Sequence, residues 1–152
     1  MCAEASPDIL PEPPEELKCA SEELSHLIRQ RIARDGALSF SGYMEMALYE
    51  PGLGYYSAGL QKFGQGGDFV TAPQLGNVFA RCLATQVSQV AGSLGEYEII
   101  EAGAGTGILA ADLLLALEKQ TPPIRYRILE RSAHLRQVQL ETLTGQAPHW
   151  LG

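Results

Sequence analysis

The chain has 152 residues, a formal net charge of −7 and 45% hydrophobic residues. No apolar run approaches the roughly 20 residues that a membrane helix needs, and the acidic balance disfavours nucleic-acid binding, which requires clustered Lys and Arg. The three cysteines and three histidines show no metal-ligand spacing. We therefore expect reduced thiols, no metal site, no membrane segment and a cytoplasmic setting.

The first part of the chain, residues 1–16, is rich in proline and acidic residues. Such a composition predicts a disordered tail, because it offers little apolar surface to bury. It has neither the apolar core of a secretory signal nor the Arg-rich character of a mitochondrial presequence. This composition further favours a cytoplasmic protein.

We predict that residues 17–95 form a helical N-terminal region. Apolar residues recur at helical spacing along residues 17–32. Ser39 or Ser41 can cap a second, short helix. A third helix is predicted from Asn77 to Val90, and it leads into the first strand.

The loop at residues 51–73 holds too many glycines for a regular element. It nevertheless carries four aromatic side chains, which are those of Tyr55, Tyr56, Phe63 and Phe69. Two interpretations remain open. The loop could be a lid that folds over a bound molecule, or an irregular connection that its aromatic side chains anchor to the core.

Residues 97–107 read YEIIEAGAGTG and predict a buried strand, a glycine-rich turn and the start of a helix. Glycine at 103, 105 and 107 lets the backbone turn sharply and approach a ligand closely. A dinucleotide fingerprint beginning at Gly103 would need glycine at position 108, which is isoleucine. The alternative is a tight strand-to-helix turn that binds no ligand.

The spacing E-x-G-x-G-x-G instead resembles the first motif of class I S-adenosylmethionine (SAM) methyltransferases. Glu101, at the end of the strand, can meet the ammonium of the methionyl group. The amides of the turn, including that of Ala104, and the helix N-terminus suit its carboxylate. SAM is therefore the predicted cofactor.

Residues 124–130 predict the next strand, which ends in the carboxylate of Glu130. An acidic residue about 20 positions beyond a glycine turn commonly accepts from the ribose hydroxyls of a nucleoside cofactor. Nicotinamide enzymes use a carboxylate in the same place, so Glu130 favours a nucleoside without choosing between the two cofactors. The alternative is a solvated glutamate at a strand end.

Several segments together resemble the MidA-like family of SAM-dependent methyltransferases, over about residues 23 to 143. They are Ser39–Tyr49, Gly54–Tyr56, Gly67–Gln74, Glu101–Gly107 and Ile128–Glu130. The resemblance implies an α/β, Rossmann-like class I methyltransferase fold. For mitochondrial members it implies protein-arginine methylation in the assembly of respiratory complex I.

Site residues follow from the resemblance by position. It assigns SAM binding to Glu101, Gly103, Gly105, Gly107 and Glu130, and it places Asp68, Phe69 and Thr71 at the cofactor or acceptor pocket. Glu45 and Asp68 are candidates for orienting an acceptor guanidinium. Catalytic residues stay unassigned.

The chain departs from the family in its extent, since it lacks a later segment of the family near the methyl acceptor. Residues 96–152 look like the start of a truncated SAM-binding domain that supplies two parallel strands. We therefore expect an N-terminal piece that is inactive alone. Its open sheet edge could pair with a second copy. The alternative function is a noncatalytic assembly module.

Overall fold

A computed structural model describes residues 12–58 and 70–151. Its regular elements, in chain order, are α1 (Glu15–Asp35), α2 (Phe40–Tyr49), α3 (Val78–Ala91), β1 (Glu98–Ala102), α4 (Ile108–Glu118), β2 (Arg125–Leu129) and α5 (Ala133–Gln146). Short 3₁₀ helices lie at Ala72–Leu75 and Pro148–Trp150.

The strands β1 and β2 pair in parallel, with α4 as the connection between them. Glu98 lies opposite Arg125, and Ala102 lies opposite Leu129. Parallel neighbours need a crossover of this kind, because a tight turn cannot return the chain to the same end of the sheet. The strand–helix–strand unit confirms the predicted α/β, Rossmann-like fold class.

The core lies where α3 and α4 pack together against one face of the strand pair. It is formed by Ala80 and Ala84 of α3 and by Leu113 and Leu117 of α4, with Ile99 and Tyr126 packed against them. Alanine on α3 allows the two helix backbones to approach closely, and the leucines of α4 fill the space between them. None of the helices in residues 12–58 and 70–151 is long and apolar enough to cross a bilayer.

The opposite face of the strand pair carries exposed side chains. Ile100 is 63% exposed and Leu129 is 61% exposed. On the same face, Glu98 accepts charge-assisted contacts from Arg125 at 3.1 Å and from Arg127 at 3.0 Å. Since a parallel sheet is normally covered on both faces, the described residues leave this face of the sheet uncovered.

The structure differs from the predicted organisation of the chain in two places. The predicted tail, residues 1–16, overlaps α1, which begins at Glu15 after Pro14. Proline is tolerated at a helix start. The negative charges of Glu15 and Glu16 in the first turn interact favourably with the helix dipole. Residues 1–11 lie outside the described part of the chain. The helix α5 was not predicted.

The turn after α2 favours an anchoring role for the first part of the 51–73 loop. The side chains of Tyr55 and Tyr56 are half-buried, and their rings meet edge to face with centroids 5.0 Å apart. The backbone N–H of Tyr56 donates to the carbonyl of Leu48, which folds this turn back on α2. Phe63 and Phe69 lie outside the described residues, so a lid formed by that part stays a prediction.

Ser132 joins this turn to α5. It is 1% exposed, and its hydroxyl accepts from the N–H of Leu135 at 3.1 Å as the N-cap of α5. The same hydroxyl donates to the carbonyl of Tyr56 at 2.6 Å. One buried side chain therefore starts a helix and fixes the loop that precedes it by 76 residues.

We expect Ser132→Ala to lower the free energy of unfolding by about 1–2 kcal/mol more than Ser39→Ala. Ser39 caps α2 in the same way, by accepting from Gly42 at 3.1 Å, but it is exposed. Both variants lose a cap, whereas only Ser132→Ala leaves the Tyr56 carbonyl without its donor. Urea unfolding followed by circular dichroism measures both. Equal losses would show that the bond to Tyr56 adds nothing.

Candidate functional site

The candidate site lies at the carboxyl ends of β1 and β2. Directly after β1, the N–H of Gly103 donates to the carbonyl of Leu129 at 3.0 Å, which continues the strand pairing by one residue. Glu101, at the end of β1, and Glu130, immediately after β2, are thereby brought to the same edge of the sheet. Ligands of open α/β sheets bind at this edge.

The glycine turn has three left-handed residues. Gly103, Gly105 and Gly107 have φ of 69°, 55° and 81°. A side chain at such a φ strains the backbone, so glycine fits all three positions. The N–H of Gly107 donates to the carbonyl of Ala104 at 2.9 Å and closes the turn.

Gly103 and Gly107 have different surroundings. A Cβ added at Gly103 would meet nothing within 4 Å, so the space over this residue is open. A Cβ added at Gly107 would lie 3.2 Å from the Cα of Gln139, because α5 approaches the turn closely there. Close packing against α5 therefore adds to the positive φ as a reason for glycine at position 107, whereas Gly103 leaves room beside the backbone for a ligand.

The N-terminus of α4 faces the end of this turn. Its N-cap is Gly107, which has no side chain to accept from the first N–H groups of the helix. Unpaired N–H groups at a helix start, together with the helix dipole, favour an anion. The carboxylate of a methionyl group suits that position, so the donors present fit the predicted cofactor.

Glu101 is half-buried beneath the turn, and its Oε2 accepts from the hydroxyl of Tyr126 at 2.8 Å. Burial raises the pKa of Glu101, and the hydrogen bond from Tyr126 opposes that shift. The pKa of Tyr126 is also raised, first by burial and then by the nearby Glu101. A ligand ammonium beside Glu101 would favour its charged form, which burial otherwise penalises.

Glu130 is half-buried, and both of its carboxylate oxygens have partners. Oε1 accepts from the N–H of Ser132 at 2.9 Å, and Oε2 accepts from Nε2 of Gln139 at 3.3 Å. Each carboxylate oxygen can accept a further hydrogen bond. The side chain is therefore held in place and still has capacity for the two hydroxyls of a ribose.

The other predicted site residues are not brought into this group. Asp68 and Phe69 lie outside the described residues. Thr71 is exposed and begins the 3₁₀ helix at Ala72–Leu75, where its N–H donates to Oε1 of Gln74 at 3.2 Å. No hydrogen bond among the described residues joins Thr71 to the glycine turn, so its place at a pocket stays a prediction.

Sequence reasoning missed Gln139, which contacts both the turn and Glu130. It is 4% exposed on α5, and its Nε2 also donates to the carbonyl of Gly105 at 2.9 Å. Glutamine in the polar segment 133–146 gives no sign of burial, and the helix itself was not predicted. No sequence signal would have identified this residue.

A cavity of about 780 Å³ lies elsewhere, in an open groove between α3 and α4. It is lined by Asn77, Val78, Arg81, Cys82, Thr85, Asp112, Leu115, Ala116, Lys119 and Gln120. None of the predicted site residues lines it. In residues 12–58 and 70–151, no cluster of His, Cys, Asp and Glu is suited to hold a metal ion.

A parallel strand pair, a glycine turn of this spacing and a carboxylate after the second strand define a nucleoside-binding unit of the class I methyltransferase kind. A family model described as "Putative S-adenosyl-L-methionine-dependent methyltransferase" matches residues 78–152. This match, together with the relatives and the solved structure described below, supports the MidA-like family of SAM-dependent methyltransferases. The family description confirms the cofactor predicted from the glycine spacing.

Curated relatives are named "Protein arginine methyltransferase NDUFAF7, mitochondrial". The Danio rerio protein is 35% identical over 130 residues, which are 80% of this chain and 30% of the relative. The Xenopus laevis protein is 32% identical over 146 residues, 90% of this chain and 32% of the relative. The chain thus spans about a third of the length of these relatives.

A solved structure from Burkholderia thailandensis supports the fold. It is a COG1565 superfamily member described as a "likely methyl transferase" bound to S-adenosyl-homocysteine. The sequences are 46% identical and the TM-score is 0.79, over 93% of this chain and 38% of that protein.

The predicted cytoplasmic setting is wrong by this comparison, because the curated relatives are named as mitochondrial proteins. The prediction depended on unpaired cysteines and on the composition of the first residues. Free thiols show only that a protein is not held together by disulfides, and they do not distinguish one reducing compartment from another.

We expect Glu101→Gln to raise the free energy of unfolding at pH 7.5, because it removes a charge whose burial raises the pKa of Glu101 in the folded state. A raised carboxyl pKa contributes stability that is present in acid and lost as the pH rises through the folded value. The increase in the free energy of unfolding from Glu101→Gln should therefore vanish below about pH 4, where the carboxyl is protonated in the unfolded state as well. Urea unfolding at both pH values measures it.

Glu98→Gln is the matched control on the same strand, because Glu98 pairs with two arginines on the exposed face. It should lower the free energy of unfolding at pH 7.5 by about 1 kcal/mol or less. A loss of stability of the same sign in Glu101→Gln would contradict the interpretation of Glu101 as a penalised charge.

Proposed function

We propose that the protein is a SAM-dependent methyltransferase that acts on a protein, with arginine as the acceptor. Residues 96–152 supply the first part of its cofactor site. The observation that carries the proposal is the left-handed glycine turn between Glu101 and Glu130 at one edge of the sheet, with open space over Gly103.

Each group of this edge has a role in binding. Glu101 would pair with the methionyl ammonium, and the N-terminus of α4 would face the methionyl carboxylate. Glu130 would accept from the ribose hydroxyls, which a fixed carboxylate does well. Gly103, Ala104, Gly105 and Gly107 would let the backbone lie against the ligand.

SAM supplies a methyl group that is activated by attachment to a positively charged sulfur. The residues of this chain have the task of orienting that group, because most of the rate enhancement in such a displacement comes from alignment. Glu101 would lie at the methionyl end of the ligand, and Glu130 would lie at its ribose. Together they would fix its position along the sheet edge.

The arginine acceptor is supported by the names of the curated relatives. Of the two carboxylates suggested for binding an acceptor guanidinium, Glu45 is already paired with Arg131, whose guanidinium lies 4.8 Å from the ring centre of Tyr49. Asp68 lies outside the described residues. We therefore expect residues other than Glu45 to bind the acceptor guanidinium.

A noncatalytic assembly module is the second candidate function. The exposed Ile100 and Leu129 on the open face of the strand pair favour it, because a surface of this kind suits docking. The sheet has two strands in the described residues, so an outer edge of it could also pair with a second copy of the chain. Binding of SAM at the glycine turn distinguishes the proposed enzyme from a module that has lost its ligand.

We expect the protein to bind SAM and not NAD in isothermal titration calorimetry. Gly103→Ala should weaken SAM binding by tenfold or more, because its Cβ enters the open space beside the turn. Both Gly103→Ala and the control Gly36→Ala should lose about 1 kcal/mol of stability or more, since both glycines have a positive φ with nothing within 4 Å of an added Cβ.

Gly36 follows α1 and is not part of the glycine turn, so Gly36→Ala should bind SAM as the wild type does. Tighter binding of NAD than of SAM would reverse the cofactor assignment. Equal affinities in the two alanine variants would show that the space over Gly103 does not hold the ligand.

We also expect the 152-residue chain to transfer methyl groups at least about 100-fold more slowly than a full-length relative, because a cofactor held by two strand ends is poorly aligned. The measurement is incorporation of labelled methyl from SAM into a protein lysate, with the Danio rerio protein as the positive control. Comparable rates would show that residues 1–152 already contain a complete active site.

A further inference from the structure

Gln139 is a buried amide in the middle of the proposed cofactor site. It lies on α5 with only 4% of its surface exposed. Burial of an amide is costly unless its polar atoms are paired. The partners of Gln139 therefore indicate why a polar residue occupies this position.

Both partners of its amide nitrogen belong to the predicted cofactor site. Nε2 donates to the carbonyl of Gly105 at 2.9 Å and to Oε2 of Glu130 at 3.3 Å. A glutamine amide has two N–H donors, and each of these acceptors can take one. Both partners are oxygens, so the NH₂ group of Gln139 must face them.

The stem of the same side chain packs against the glycine turn. A Cβ at Gly107 would lie 3.2 Å from Cα and 3.3 Å from Cγ of Gln139. The residue therefore touches the turn through both its amide and its stem, and it reaches the carboxylate after β2 as well. Gln139 thus contacts both the glycine turn after β1 and the carboxylate after β2.

The bond to Gly105 also sets the direction of a neighbouring amide. In a trans peptide the C=O and N–H point to opposite sides. Because the carbonyl of Gly105 points to Gln139, the N–H of Thr106 is directed away from α5. Gln139 thus orients one of the amides that the turn would offer to a ligand.

Gln139 also completes the fixing of the Glu130 carboxylate. One oxygen is held by the N–H of Ser132 and the other by Gln139. The nearby Arg136 donates to the backbone carbonyls of Glu130 and Arg131. The amide of Gln139 therefore holds the oxygen that Ser132 does not.

We propose that Gln139 is a positioning residue of the cofactor site, which holds the glycine turn and Glu130 at a fixed separation so that both meet one SAM molecule. This inference rests on the proposed function. It requires that Gln139 acts on the ligand through Glu130 and Gly105 and does not touch the ligand itself.

Gln139→Met tests the inference because it keeps the length and packing of the stem and removes both N–H donors. Calorimetry with S-adenosylhomocysteine should show an affinity about tenfold lower than that of the wild type. In a Glu130→Ala background the same substitution should cost about threefold or less, because one of its two targets is gone. Equal costs in both backgrounds would overturn the inference.

Gln139→Glu gives a second test that does not depend on lost packing. It places two carboxylates about as close as the present 3.3 Å contact, and like charges at that distance cannot both ionise easily. Its affinity for S-adenosylhomocysteine should therefore fall as the pH rises from 5 to 8, by about tenfold more than in the wild type. A merely structural role for Gln139 would give no such pH dependence.

Gln137 provides matched controls on the same helix, since it is exposed and donates to Glu141 at 2.9 Å. Gln137→Met and Gln137→Glu should bind S-adenosylhomocysteine as the wild type does at every pH. If the wild type binds no S-adenosylhomocysteine, the proposed function fails and the inference fails with it. If the wild type binds and both Gln139 variants stay within twofold of it, the inference alone is overturned.

Discussion

The parallel pairing of β1 with β2 is the constraint on which the candidate site depends. In this register the two strands end together, at Ala102 and Leu129. The crossover through α4 is required by the parallel direction, and the buried leucines of α4 hold it against the strand pair. Glu101 near the end of β1, the glycine turn after it and Glu130 after β2 are thereby placed at one edge of the sheet.

The sequence was informative wherever the chemistry is local along the chain. The strand, the glycine turn and the start of α4 are contiguous, and the φ of Gly103, Gly105 and Gly107 explains why glycine stands at each. Glu130 could be predicted because it directly follows a recognisable strand. These residues define the cofactor class without any knowledge of tertiary contacts.

The parts that were missed depend on contacts between distant segments. The helix α5 alternates polar and apolar residues without a clear apolar stripe, and only Leu135 and Gln139 of it are buried. Gln139 is buried because Gly107 lets α5 approach, 32 residues away along the chain. The link between Ser132 and Tyr56 is similarly invisible in the sequence, since it joins residues 76 positions apart.

Two strands are a small part of a Rossmann-like sheet, and one face of this strand pair is exposed. Ile100 and Leu129 lie open on a face where Glu98 binds Arg125 and Arg127. The chain spans 30–32% of the Danio rerio and Xenopus laevis relatives, so most of the length of those proteins lies outside the part that this chain matches. The cofactor end of the sheet is the part that these residues build.

The central claim is that the glycine turn and Glu130 together bind SAM. A ¹⁵N-labelled sample titrated with SAM, with backbone amides followed by NMR, tests it most directly because it reports position as well as binding. The account predicts the largest shift changes at residues 103–107 and at Glu130 and Gln139, and no comparable changes with NAD. Shift changes confined to the groove between α3 and α4 would contradict it.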